Sequence, residues 1–268
     1  MQNRSWLPPA DRVGMLVASL LLAFALTRLI QSPRLTLSIA LPGFYFAYPL
    51  TLATGVTLLA AALSGAGMNW LAGEARAATP SAAHLALPTL TAFVLGSFLN
   101  LLPNGAAWWG GLAAAGLLLA GVFLAEYIAI EPASPLYGVA RASLTALAYA
   151  LFLMSAAALR FAGMRMFALA PSIFLVAGLI SLRILLLDSS MRWNFAWAAG
   201  IGVVCMQIGG GLHYWNITPL QFGLALIGPF YGLTLFAEQL AENIPARRAA
   251  FAPAFIAGFA WAAAFFLR

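Results

Sequence analysis

The chain has 268 residues, of which 63% are hydrophobic and 7% are charged, whereas an ordinary soluble domain carries about 25% charged residues. All 13 basic residues are arginine and 7 residues are acidic, which gives a net charge of +6. This composition excludes a soluble globular domain, and the absence of lysine excludes Schiff-base chemistry and a phosphate-binding loop ending in Gly-Lys.

The apolar segments predict the transmembrane architecture. A spanning helix uses about 20 residues, and nine such segments fit on the chain. We therefore predict an all-α polytopic transmembrane helix bundle of eight or nine spanning helices, forming a single integral membrane domain. The predicted spans are residues 13–30, 50–68, 84–102, 106–127, 138–159, 166–187, 194–214, 219–238 and 248–267.

The first span has some features of a secretion signal. Ala23-Phe24-Ala25 resembles a cleavage site, but Arg28 follows it directly and Pro8-Pro9 makes a poor signal start. We expect an uncleaved helix. The arginines of the predicted loops favour a cytoplasmic N-terminus, with seven on cytoplasmic segments against five outside.

Segment 35–48 differs from the spans. Leu35, Leu37, Ile39 and Leu41 alternate with small or polar residues ahead of Pro42-Gly43, and period two followed by a turn dipeptide is typical of a hairpin. We expect a short hairpin at the membrane interface. The alternative is that the segment extends the second helix with a kink at Pro49.

An offset of 112 residues aligns parts of the chain with each other. It pairs Asn104 with Asn216, Ala125-Glu126 with Ala237-Glu238, and Gly111-Leu112-Ala113 with Gly223-Leu224-Ala225. The pattern predicts two parallel four-helix repeats, 50–159 and 166–267, after a leading helix. Parallel repeats occur in carriers, which bind their substrate where the repeats meet, but duplication also occurs in proteins that carry nothing.

Two motifs carry a resemblance to a known family: Ala125-Glu126-Tyr127-Ile128-Ala129-Ile130-Glu131-Pro132, and His213-Tyr214-Trp215-Asn216 ahead of a Pro- and Gly-containing span. They resemble a family of bacterial polytopic membrane proteins that is classed as a domain of unknown function. The resemblance covers residues 84–248. It implies a multi-pass protein of the bacterial cytoplasmic (inner) membrane and implies no catalytic or binding residue.

Ionisable residues inside spans are candidate functional groups, because each is costly in lipid unless it is paired or faces water. Arg183 lies well inside its span and has Asp188, Glu126 and Glu238 as possible partners. A carboxylate that ends a long apolar run, as Glu126 and Glu238 do, suits proton-coupled transport. The alternatives are a snorkelling or fixed ion-pairing Arg183 and carboxylates at headgroup level, solvated or paired with Arg141, Arg247 or Arg248.

His213 and Gln207 flank three consecutive glycines, Gly209 to Gly211. Such glycines allow close helix packing or an unwound segment whose carbonyls bind a ligand. The alternative is that His213 belongs to an interfacial aromatic belt. His84 has no acidic residue near it in the sequence, so we predict no metal site and no prosthetic group.

The sequence supports two main hypotheses of function. The first is a carrier or binding protein for a small, apolar or lipid-like ligand. The second is a structural or assembly subunit of a larger membrane complex. An enzyme is less favoured, because few acids are present for general acid-base work. The expected partners are membrane lipids, other membrane proteins or further copies of the chain, and nucleic acid is not expected because the arginines are scattered singly.

Overall fold

The computed structural model describes residues 7–30, 35–41, 44–73, 83–187 and 194–266. In chain order, the elements are α1 (Ala10–Leu29), β1 (Leu35–Leu41), β2 (Phe44–Leu50), α2 (Leu52–Ala72), α3 (Ala83–Leu101), α4 (Ala106–Ile128), α5 (Tyr137–Phe161), α6 (Met166–Leu187), α7 (Asn194–His213), α8 (Pro219–Ala241), α9 (Ala246–Ala249) and α10 (Phe251–Phe266).

Within the described residues, nine helical segments are long and apolar enough to cross a membrane, α9 and α10 forming the last of them together. The predicted helix bundle is confirmed, and the ends of each spanning segment lie within four residues of the predicted ends. The protein is therefore a multi-pass integral membrane protein. Helices suit this environment because they satisfy their own backbone hydrogen bonds in the absence of water.

Polar side chains cap helices where the chain begins a span. Thr218 caps α8 by accepting a hydrogen bond from the backbone N–H of Gln221, whose side chain accepts one from the Thr218 N–H in return. Pro219 follows at the first helical position, where the missing N–H costs nothing. Thr51 caps α2 in the same way through the N–H of Thr54.

Segment 35–48 forms the predicted hairpin. Strands β1 and β2 pair antiparallel, from Leu35 opposite Leu50 to Leu41 opposite Phe44. The alternative of a second helix extended back through Pro49 is wrong, because Pro49 lies in β2 opposite Thr36. Proline is tolerated in a two-stranded sheet, where every strand is an edge strand.

The chain divides into two compact units, Met1–Ala140 and Arg141–Arg268. The core of the first unit is built from α1 to α4, with Leu20, Met68, Leu119 and Phe123 completely buried. Gly67 on α2 permits the closest approach, because a β-carbon there would collide with the side chain of Leu16 on α1. Small residues at such crossings let spanning helices pack tightly.

In the second unit, α5 and α8 pack through aromatic rings. Phe152 and Phe230 stack with their centroids 4.1 Å apart, and the Tyr149 hydroxyl lies 2.7 Å from the hydroxyl of Thr234. On another face of α8, a β-carbon at Gly232 would meet the carbonyl oxygen of Pro253 on α10 at 2.9 Å. Glycine is therefore required for α8 and α10 to approach at this level.

Candidate functional site

A histidine and a glutamate meet inside the first unit. His84 Nδ1 lies 3.1 Å from the Oε2 atom of Glu126. The Glu126 side chain is completely buried, whereas 17% of the His84 side chain is exposed. A polar pair therefore lies within the helix bundle, and the imidazole is the member of the pair that is partly exposed.

Helix order explains why these two residues meet. His84 is the second residue of α3 and Glu126 is the third residue from the end of α4. Four residues, 102–105, join the two helices, and so short a connection makes α3 and α4 antiparallel neighbours. The start of α3 therefore lies beside the end of α4, although the pair is 42 residues apart in sequence.

The pair corrects two interpretations of the sequence. Glu126 is not solvated at headgroup level, because protein covers it completely. His84 does have an acidic residue beside it, which the sequence did not indicate. Burial of a carboxylate is costly without a polar partner, and the imidazole is one such partner.

Arg183 is the second ionisable residue inside a span. It is 2% exposed and lies on α6, next to the buried Ile184 and Leu185. An arginine snorkelling along lipid would be exposed, so that alternative is wrong.

Glu238 is half-buried on α8, near enough to Tyr149 for electrostatic interaction. Arg183 and Glu238 each have an interaction partner, and Asp188 lies outside the described residues.

The glycine-rich end of α7 does not unwind. The helix continues through Gly209, Gly210 and Gly211 to His213, so the alternative of an unwound segment with exposed backbone carbonyls is wrong. Gln207 is exposed on this helix rather than buried in the unit. Intact helical hydrogen bonds are the less costly state for a segment at membrane depth.

His213 instead belongs to a contact that we call the second arginine clamp, formed by Arg160, His213, Trp215 and Phe222. Arg160, at the end of α5, donates hydrogen bonds to the carbonyl oxygens of His213 at 2.8 Å and Trp215 at 2.9 Å. Its guanidinium lies over the ring of Phe222, 5.8 Å from the centroid. The clamp binds one carbonyl at the end of α7, where helical partners are missing, and one carbonyl two residues further on.

The first arginine clamp lies in the other unit and consists of Arg28, Leu99, Leu102, Asn104 and Trp108. Arg28 donates to the carbonyl oxygens of Leu99 at 2.9 Å and Leu102 at 2.6 Å, and to Oδ1 of Asn104 at 2.7 Å. Its guanidinium lies over the Trp108 ring, 5.5 Å from the centroid. Sequence reasoning missed both clamps, since it treated these arginines as topology signals.

The described residues contain no group of three His, Cys, Asp or Glu side chains that could hold a metal ion. His84 and Glu126 provide two ligands, and a structural or catalytic zinc site needs three or four protein ligands. The pair alone therefore does not provide the ligand set of such a zinc site.

Comparison with known proteins identifies the family. Residues 32–267 match the family described as "Protein of unknown function (DUF5656)". The chain belongs to this family. The match confirms the predicted domain of unknown function and extends well beyond the predicted range of 84–248. No curated protein and no solved structure matches the chain.

Proposed function

We propose that this protein is a carrier or binding protein for a small, apolar or lipid-like ligand, and that it works in the bacterial cytoplasmic membrane. The observation that carries the proposal is the repeated arginine clamp. In each unit, an arginine in the last turn of the first helix binds the carbonyl end of the third helix and covers an aromatic ring in the first turn of the fourth.

The lengths of the connections support a duplication. Arg28 and Arg160 are 132 positions apart, whereas α2 and α6 begin 114 positions apart, at Leu52 and Met166. The connection from α1 to α2 has 22 residues, including the hairpin, and that from α5 to α6 has 4. The 18 extra residues account for most of the change from the offset of 132 at the two arginines to the offset of 112 at Asn104 and Asn216.

The repeat that we propose therefore groups the helices differently from the sequence prediction. The two copies are α1 to α4 and α5 to α8, with α9 and α10 as an addition at the end. In this grouping Asn104 and Asn216 still correspond, and so do Glu126 and Glu238. Parallel repeats of this kind are a recurrent architecture of carriers.

The interior suggests the class of ligand. The buried side chains are mainly aliphatic, aromatic and small, and Glu126 and Arg183 are the only charged ones among the buried residues that the structure describes. Proline lies inside α3, α6 and α8, at Pro88, Pro171 and Pro229. Proline-containing spans can bend and so open and close a path, and the apolar surroundings favour an apolar or lipid-like molecule.

Purification in a mild detergent, followed by native mass spectrometry and analysis of the extracted small molecules, tests this function. We expect a lipid, a quinone or another apolar molecule in fixed ratio to the protein. The Arg247→Ala variant, altered at an exposed position on α9, is the matched control and should retain the same molecule. A protein that carries only exchangeable detergent and bulk lipid would contradict the proposal.

A structural or assembly subunit is the second candidate, and α10 favours it. Phe251, Phe255 and Phe259 follow each other at intervals of four and are 78%, 69% and 70% exposed. Residues at this spacing share one helix face, which suits contact with lipid or with a partner helix. Stoichiometric membrane-protein partners and no bound small molecule in the same purification would favour this candidate.

A further inference from the structure

We propose that His84 and Glu126 form a proton-binding site, and that this site makes ligand binding and release by the carrier depend on pH. The link to the ligand rests on the proposed function, whereas proton binding itself rests on the geometry of the pair. The two side chains come from different helices, their nitrogen and oxygen atoms are 3.1 Å apart, and Glu126 is completely buried.

The burial difference indicates how protons enter. Glu126 is completely covered, so a proton can arrive most directly through the part of the imidazole that is exposed. Imidazole has two ring nitrogens and can accept a proton at one and release a proton from the other. His84 therefore connects the outside of the bundle with the buried carboxylate.

The change of charge gives the pair two distinct states. Without the additional proton, the pair is a neutral imidazole and a carboxylate, with a net charge of −1. With the proton bound to the imidazole, the pair is neutral overall and its members attract each other. Because a buried net charge is costly in an apolar bundle, uptake of one proton changes the electrostatic energy of this end of α3 and α4.

Other charged groups surround this end of the first unit. Helix α1 contributes Asp11 and Arg12, and Arg12 lies over the ring of Trp70 on α2, 5.0 Å from the centroid. Tyr127 follows Glu126 on α4, Glu131 lies in the connection after it and Tyr137 begins α5. The described part of α2 contributes no ionisable side chain.

The described residues of the second unit do not repeat this pair. Glu238 corresponds to Glu126 in the repeat, but the residue corresponding to His84 at the same offset of 112 is Ala196. His213 lies at the other end of its helix, in the second arginine clamp. Proton binding by an imidazole and a carboxylate is therefore assigned to the first unit alone.

Potentiometric titration of the purified full-length protein in detergent tests the site. We expect the wild type to take up about one more proton per chain than the His84→Gln/Glu126→Gln double variant when the pH is lowered from about 8 to about 5.5. Glutamine is similar in size to both side chains and can still donate and accept hydrogen bonds, but it does not titrate. The Glu242→Gln variant, altered at an exposed position after α8, should match the wild type.

The outcomes separate the site from the carrier function. Equal proton uptake by the wild type and the double variant would overturn the proposal, because a fixed ion pair keeps its proton throughout the range. The single variants Glu126→Gln and His84→Gln repeat the test if the double variant does not give a monodisperse protein. A missing ligand in the mass-spectrometric experiment would contradict the carrier function and leave the proton count unchanged.

Discussion

Replacement of Arg28 by alanine should destabilise the first unit by removing the first arginine clamp. The substitution deletes three hydrogen bonds of 2.6 to 2.9 Å and the contact with the Trp108 ring. Hydrogen bonds from a charged donor contribute about 1.5–3 kcal/mol each when both groups are buried, but Arg28 is only partly buried and its hydrogen bond to Asn104 is exposed. We therefore expect a total loss of about 2–3 kcal/mol, below the simple sum.

Thermal unfolding in detergent, followed by tryptophan fluorescence, measures this loss. For a protein of this size, about 2–3 kcal/mol lowers the apparent Tm by about 4–12 °C. The Arg28→Lys variant should recover part of the loss, because lysine keeps the charge but not the planar fork that binds several oxygens. The Arg247→Ala variant is the control, since Arg247 is exposed on α9.

The second arginine clamp makes the same experiment stricter. Arg160 binds two carbonyl oxygens at 2.8 and 2.9 Å and covers the Phe222 ring, so Arg160→Ala should cost about 1.5–3 kcal/mol for the same reasons. If both variants unfold at the temperature of the Arg247→Ala control, the clamps do not hold the helix ends, and the argument that joins them to a repeat is refuted.

Three further substitutions, with Gly121→Ala as a control, test two helix contacts and one helix cap, each by the same measurement of Tm. Gly67→Ala should destabilise the protein because the new methyl group collides with Leu16, whereas Gly121→Ala adds a methyl group in open space and should raise or preserve the Tm. Thr218→Ala removes the cap of α8 and should cost about 1 kcal/mol. Tyr149→Phe removes a 2.7 Å hydrogen bond between spanning helices and should cost about 0.6 kcal/mol. Unchanged Tm values for Gly67→Ala, Thr218→Ala and Tyr149→Phe would contradict these contacts.

The sequence by itself determined where the chain crosses the membrane and where it does not. Apolar length fixes a span, because the backbone of a segment in lipid has to satisfy its own hydrogen bonds. Alternation of period two, ended by Pro42-Gly43, predicted the hairpin of β1 and β2 for an equally local reason. Both signals are contained in consecutive residues, so no knowledge of helix packing was needed.

The tertiary structure alone decided which polar groups meet. His84 and Glu126 are 42 residues apart, and Arg28 lies 71 to 76 residues from the groups it binds on and after α3. Their pairing depends on which helices are neighbours and on which face each helix turns inward. Leucine, alanine and glycine occur around almost the whole circumference of these helices, so the sequence does not mark the inward face.

The glycine-rich end of α7 is a second case in which the sequence alone does not decide the structure. Three adjacent glycines permit both a close helix contact and an unwound segment, and local propensity does not choose between them. The helix continues through Gly209 and Gly210, where β-carbons would meet the side chains of Ile173 and Met166 on α6. Packing against a neighbouring helix made this choice, and that neighbour is defined only in the folded protein.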